Sequence, residues 1–102
     1  MDKKMESKIK SALRQIWRYH SEDRRHALKA TSCAYCKSPR GKTEKYDCDH
    51  VQPIVPTTGW DSWDGYIDRL FEGLMVGICK KCHAKKTKLE NDKRRKNKKE
   101  KK

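Results

Sequence analysis

Two Cys-x-x-Cys pairs, Cys33-Ala34-Tyr35-Cys36 and Cys79-Lys80-Lys81-Cys82, limit what this chain can fold into more than any other feature. Each is a turn that presents two thiols to one point. Together they supply four thiolates, the ligand set of a closed tetrahedral zinc. The other reading, a redox pair plus two buried thiols, suits a lone Cys-x-x-Cys better than two of them. Composition adds the need for a staple. Of 102 residues, 33% are hydrophobic and 40% charged. A core with so little apolar material calls for a covalent or metal tie. A four-cysteine zinc would be structural, since protein fills every position, and its binding energy would be folding energy. Residues 37–78 separate the two pairs, longer than in a simple zinc ribbon, so a small subdomain is inserted between them. His83 follows the last cysteine directly, at the predicted start of a helix. A metal-bound turn would hold its imidazole at a fixed position and angle.

Lys and Arg number 27 against 14 Asp and Glu, a net charge of +13. That excess points to a polyanion, nucleic acid before a membrane surface. No apolar run approaches the roughly 20 residues of a spanning helix, and the N-terminus carries no apolar signal segment. The chain therefore reads as intracellular and cytoplasmic, with no membrane partner. Five cysteines in a reducing compartment favour metal ligation over disulfides. Three regions follow: a helical extension over 1–30, a zinc-stapled domain over 31–91 and a basic tail over 92–102.

In chain order, Ile9, Leu13, Ile16 and Trp17 recur at helical spacing. Tyr19-His20-Ser21 reads as a break, with Ser21 capping a second helix to about Ala30. These helices pack an apolar stripe on the zinc core or on a partner, and are the place for a protein partner or self-association. His20 and His26 read as surface residues. Tyr46 to His50 alternates as a short strand, with Cys48 as a small buried apolar residue. Asp49 and His50 are strand neighbours and point to opposite faces, so both serve one site only if the strand ends there, as Pro53 and Pro56 suggest. Asp61 or Ser62 caps a helix to Glu72, with Trp63, Ile67, Leu70 and Phe71 on one apolar face and Gly73 as its stop. Trp60 and Trp63 read as core rather than base-stacking platforms. Leu74 to Ile78 is a strand that pairs with the first across a helical excursion. From His83 a helix runs to Leu89. Beyond Asn91 the chain has no apolar face and reads as a frayed helix or disordered tail.

C-x-x-C (Cys33, Cys36), D-H-x-x-P (Asp49, His50, Pro53) and C-x-x-C-H-x-x-K-T (Cys79, Cys82, His83, Lys86, Thr87) occur in this order. That constellation, over about residues 33–90, resembles the HNH endonuclease family. The stretch 55–64, with Glu72-Gly73-Leu74 after it, looks like small phage-encoded members, which would place the protein in a host cytoplasm. The resemblance implies an α+β fold, a zinc-stabilised, treble-clef-like ββα-metal domain carrying N-terminal helices and a basic C-terminal tail. It also implies roles. His50 would be the general base that takes a proton from the attacking water. Asp49 and His83 would hold one divalent cation, such as Mg²⁺, Mn²⁺ or Ni²⁺, against the scissile phosphate. Structural Zn²⁺ would sit on Cys33, Cys36, Cys79 and Cys82. Lys86, Arg40, Lys42 and Lys88 are candidates for contact with nucleic acid. One departure stands out: 73–77 carries no Asn where the family's middle Asn braces the loop bearing the base. The brace must come from backbone or from another residue. The expected function is a metal-dependent endonuclease that nicks or cuts DNA, taken as double-stranded, with low sequence selectivity. The alternatives are a non-catalytic zinc module that binds nucleic acid or a protein assembly, and an RNA-binding zinc protein of a large ribonucleoprotein.

Overall fold

A computed structural model describes residues 1–100, and Lys101 and Lys102, the end of the expected basic tail, lie outside the described residues. The order of elements is α1 (Lys3–His20), α2 (Glu22–Leu28), β1 (Asp47–His50), α3 (Trp63–Glu72), β2 (Met75–Ile78) and α4 (Lys80–Glu100). This is a small α+β fold, with four helices and a two-stranded sheet among the described residues.

Local chemistry sets the boundaries. The Asp2 carboxylate caps α1 by accepting from Met5 N at 2.8 Å. Ser21 serves two helices. Its N–H closes α1 on Trp17 O, and its Oγ accepts from Arg24 N to open α2. Ser62 Oγ caps α3 through Gly65 N. Asp61, the other candidate cap, instead pairs with Arg69 at 2.6 Å. Gly73 closes α3 through its N–H on Arg69 O.

β1 and β2 pair antiparallel, with Asp47 opposite Ile78, Asp49 opposite Val76 and His50 opposite Met75. The C-terminal end of α2 lies against this hairpin so closely that a Cβ at Gly77 would collide with the Ala27 carbonyl. Only glycine fits there. Cys33, Tyr46, Ile78 and Cys79 form the buried cluster, with Ala30, Ala34, Val76 and Cys82 against it. Three of the four cysteines and three larger side chains thus share one core, which is why the cysteine cluster and the hydrophobic centre cannot be separated.

Three expectations change. The apolar face of α3 is centred on Tyr66 and Leu70, both fully buried, whereas Ile67 is exposed. Tyr66 was hidden because a polar-tipped aromatic does not register in an aliphatic pattern. Trp60 is also exposed; it meets Trp63 edge-on and packs tilted against Tyr66, with Lys10 Nζ 4.3 Å above its ring. The segment expected to fray after Asn91 is helical through Glu100. Its helix finds a neighbour the periodicity could not reveal: Arg94 Nη2 donates to Val55 O at 3.0 Å and Asn97 Nδ2 to Thr57 O at 3.0 Å. Side-chain donors landing on a loop's carbonyls replace the missing apolar face. No described helix is long and apolar enough to cross a membrane.

Candidate functional site

The four cysteines of the two pairs converge. Their sulfurs lie within 4.8 Å of one another, and Cys36 Sγ and Cys79 Sγ are 3.9 Å apart. Tetrahedral zinc with bonds of about 2.3 Å requires sulfurs roughly 3.8 Å apart, so this cluster can hold a structural metal ion such as zinc. The turns also aim amides at sulfur: Cys36 N and Cys79 N approach Cys33 Sγ, and Cys82 N approaches Cys79 Sγ, each at 3.5 Å. Burial raises the Cys33 thiol, but the backbone donors outweigh it and bring the group down to about 6. Cys82 moves the other way, pushed up to about 12, first by its hydrogen bond with Cys79 and then by burial. Four thiolates in contact repel, and a central dication resolves that repulsion. Cys48 stands apart from the cluster. It is half-buried rather than buried, and desolvation pushes its thiol up to about 11.

The second assembly forms where α4 crosses β1. Asp47 and Asp49, two apart on the strand, share one face. His83 and Lys86, three apart on the helix, share another. The two spacings bring them together in two pairs. His83 Nδ1 lies 2.7 Å from Asp47 Oδ2, and Lys86 Nζ lies 2.7 Å from Asp49 Oδ2. Lys80 also donates to Asp47. Burial would raise the Asp47 carboxyl, but the Lys80 and His83 hydrogen bonds hold it below the ordinary value. An ionised Asp47 only accepts, so His83 Nδ1 donates, and in the neutral ring Nε2 carries the lone pair. Asp47 went unnoticed in the sequence, although its spacing from Asp49 was a usable signal.

His50 points the opposite way, as strand alternation requires, toward α1 and α3. Its Nε2 is 2.9 Å from Leu70 O, and the Trp17 ring packs on it with centroids 4.8 Å apart. Trp17 is itself fixed by donating Nε1–H to Met75 Sδ at 3.4 Å. A carbonyl only accepts, so Nε2 carries the proton and Nδ1 is the basic atom of neutral His50. Burial lowers the His50 pKa, outweighing the Leu70 bond and the nearby Asp49 charge that raise it. The neutral ring, the form able to accept a proton, is therefore favoured.

Asp49 is buried and receives two donors on Oδ2, the Tyr35 hydroxyl at 2.6 Å and Lys86. Its Oδ1 accepts no hydrogen bond among the described residues. Although they lie on different faces of β1, Asp49 and His50 meet His83 in one cleft of about 210 Å³, because the strand ends at His50. Arg14, Cys48, Glu90, Arg94 and the turn Pro53-Ile54-Val55 complete the wall. His83 also lines a larger groove along α4, about 510 Å³, with Lys80, Lys88 and Arg95 on its sides.

The candidate cations divide. Lys42 and Lys88 are exposed. Arg40 is occupied internally: it donates to Leu28 O at 2.7 Å and to Glu44 O at 2.9 Å, and lies over the Tyr46 ring. Lys86 is mostly buried, and protein oxygens surround its ammonium. His20 and His26 are exposed and away from the cleft. No family model, curated protein or solved structure matches the chain.

Proposed function

We propose that this chain is a metal-dependent endonuclease of the HNH type that hydrolyses DNA phosphodiester bonds. The observation that carries the reading is the meeting of Asp49, His50 and His83 in one cleft whose walls include Arg14 and Arg94. Fixed tautomers support it. Leu70 O holds His50 with Nδ1 basic, and Asp47 holds His83 with Nε2 basic. Asp49 Oδ1 and His83 Nε2 are then an oxygen and a nitrogen donor without hydrogen-bond partners among the described residues, a set suited to Mn²⁺, Ni²⁺ or Mg²⁺ with open positions for water and phosphate. A divalent cation bound there supplies charge stabilisation at the phosphate and the leaving oxygen.

The residues' own work is then defined. His50, neutral near pH 7, takes the proton of the attacking water on Nδ1. The Leu70 carbonyl stabilises the resulting imidazolium through the Nε2 proton. Arg14, exposed on the cleft wall, balances phosphate charge. The groove beside His83, with Lys80, Lys88 and Arg95, gives the adjoining backbone a basic track that carries no base-edge code, in keeping with low sequence selectivity.

Supercoiled plasmid incubated with zinc-loaded protein and Mg²⁺, Mn²⁺ or Ni²⁺ tests the reading. Wild type converts it to nicked circles, and His50→Ala does not while still shifting DNA in a gel. Binding without nicking by wild type in all three metals would leave a zinc-stapled nucleic-acid-binding module instead. Equal nicking by His50→Ala would remove the base assignment.

A further inference from the structure

The Lys86 ammonium has three N–H donors, and three protein oxygens lie within reach: Asp49 Oδ2 at 2.7 Å, His50 O at 2.7 Å and Val51 O at 3.1 Å. Glu90 Oε2 stands 3.5 Å away, one helical turn on. The side chain is 19% exposed. A lysine that binds phosphate keeps its head free. This one is directed inward and saturated, and two of its acceptors are consecutive carbonyls where β1 ends and the chain turns.

We infer that Lys86 is a positioning residue, the brace that fixes the end of β1 and so sets Asp49 and His50. The inference rests on the proposed reading of the site for its catalytic consequence, but the brace itself is a property of the folded protein. Three observations fit it. The segment 73–77 has no asparagine to hold this turn, and what it gives the turn is backbone help, Val51 N on Leu74 O at 3.0 Å. Lys86 lies one turn beyond His83 on α4, so a single side chain ties the strand bearing Asp49 and His50 to the helix bearing His83. Finally, a strand end is where side-chain alternation stops holding a residue in register. Without this tie, the carbonyls of His50 and Val51 would lose the Lys86 donor, which costs order there. An ammonium on a flexible stem donates in three directions, a pattern that a planar guanidinium does not offer.

Two variants separate a brace from a phosphate contact. Lys86→Met keeps the length and removes the donors, and Lys86→Arg keeps the charge but not the donor geometry. With a brace, both variants lower kcat by about 10- to 100-fold, the range for outer-shell partners. DNA affinity and its salt slope stay within twofold of wild type. Independent of any activity, ¹⁵N spectra of the His50 imidazole in DNA-free protein show one tautomer, protonated on Nε2, in wild type and averaged tautomers in both variants. If Lys86→Met fails to retain zinc and fold, the Arg variant decides by the same two readouts. The inference is overturned if Lys86→Arg matches wild type, or if Lys86→Met weakens DNA binding and lowers the salt slope by about one while the His50 tautomer is unchanged. Absence of nuclease activity in wild type would sink the enzymatic reading, and the imidazole spectra would still decide the brace.

Discussion

The hydroxyl of Tyr35 donates to Asp49 Oδ2 at 2.6 Å. Tyr35 is part of the first cysteine turn, between Cys33 and Cys36, so one hydrogen bond joins the metal staple to the carboxylate of the cleft. The two donors on Oδ2, Tyr35 and Lys86, leave Oδ1 as the free oxygen. The cysteine turn therefore does more than hold the chain together: it sets which oxygen of Asp49 is available.

Tyr35→Phe removes that donor while keeping the ring. Asp49 retains Lys86, so the expected loss of stability is about 1 kcal/mol. The carboxylate becomes free to rotate, and nicking is expected to fall about tenfold at fixed Mn²⁺, with partial recovery as Mn²⁺ is raised. Thermal unfolding and a metal titration of the nicking rate measure the two effects. A rate equal to wild type at limiting Mn²⁺ would show that Tyr35 does not orient Asp49.

Asp47→Ala takes away the acceptor that holds His83 Nδ1–H. The ring then samples both tautomers, and affinity of the cleft for Mn²⁺ is expected to drop by about 10- to 100-fold. Calorimetric titration of zinc-loaded protein gives the number. Zinc content should not change, because Asp47 is not among the clustered sulfurs. Loss of the Lys80–Asp47 pair should cost little, about 0–1 kcal/mol, since its Lys80 end is largely exposed. Unaltered Mn²⁺ binding would separate His83 from the cation site.

Removing the structural metal should unfold the domain. Cys33 and Cys79 lie in the same buried cluster as Tyr46 and Ile78, so expelling zinc leaves mutually repelling thiolates inside the core. Binding of such a metal contributes roughly 10–16 kcal/mol in small zinc modules, more than a domain of this size has in reserve. A strong chelator, or Cys82→Ser, is expected to abolish near-ultraviolet dichroism and the cooperative melt. A metal-free protein that retained both would mean that the cluster is incidental to folding.

Arg14 brings the first helix into the cleft wall. Arg14→Ala should weaken DNA binding and reduce the slope of log affinity against log salt by about one, the loss of a single phosphate contact. Helix content, by far-ultraviolet dichroism, should hold, because the residue is exposed. An unchanged slope would return α1 to the role of scaffold.

Much of this was readable in one dimension. The four cysteines, the strand ending at His50, the Ser21 and Gly73 boundaries and the return of β2 all rest on local chemistry: sulfur spacing, capping side chains and alternation. Such signals act within a few residues. Lys86 and Arg40 show where they stop. Both look like free surface cations in a chain of net charge +13, and both are occupied by carbonyls from segments distant in sequence.

The sequence alone determined that four thiols would form a set able to hold one metal and that an acid and two imidazoles would stand at strand and helix ends, because ligand chemistry and backbone period are written residue by residue. Only the tertiary structure decided that Asp47 would orient His83, that Leu70 O would choose the His50 tautomer and that Lys86 would turn inward. Those pairings depend on the line along which α4 crosses β1 and on how close α3 comes. Both depend on how the buried side chains pack, Tyr66 and Leu70 on α3 and Ile78 on β2 among them, a property of the whole chain rather than of any stretch of it.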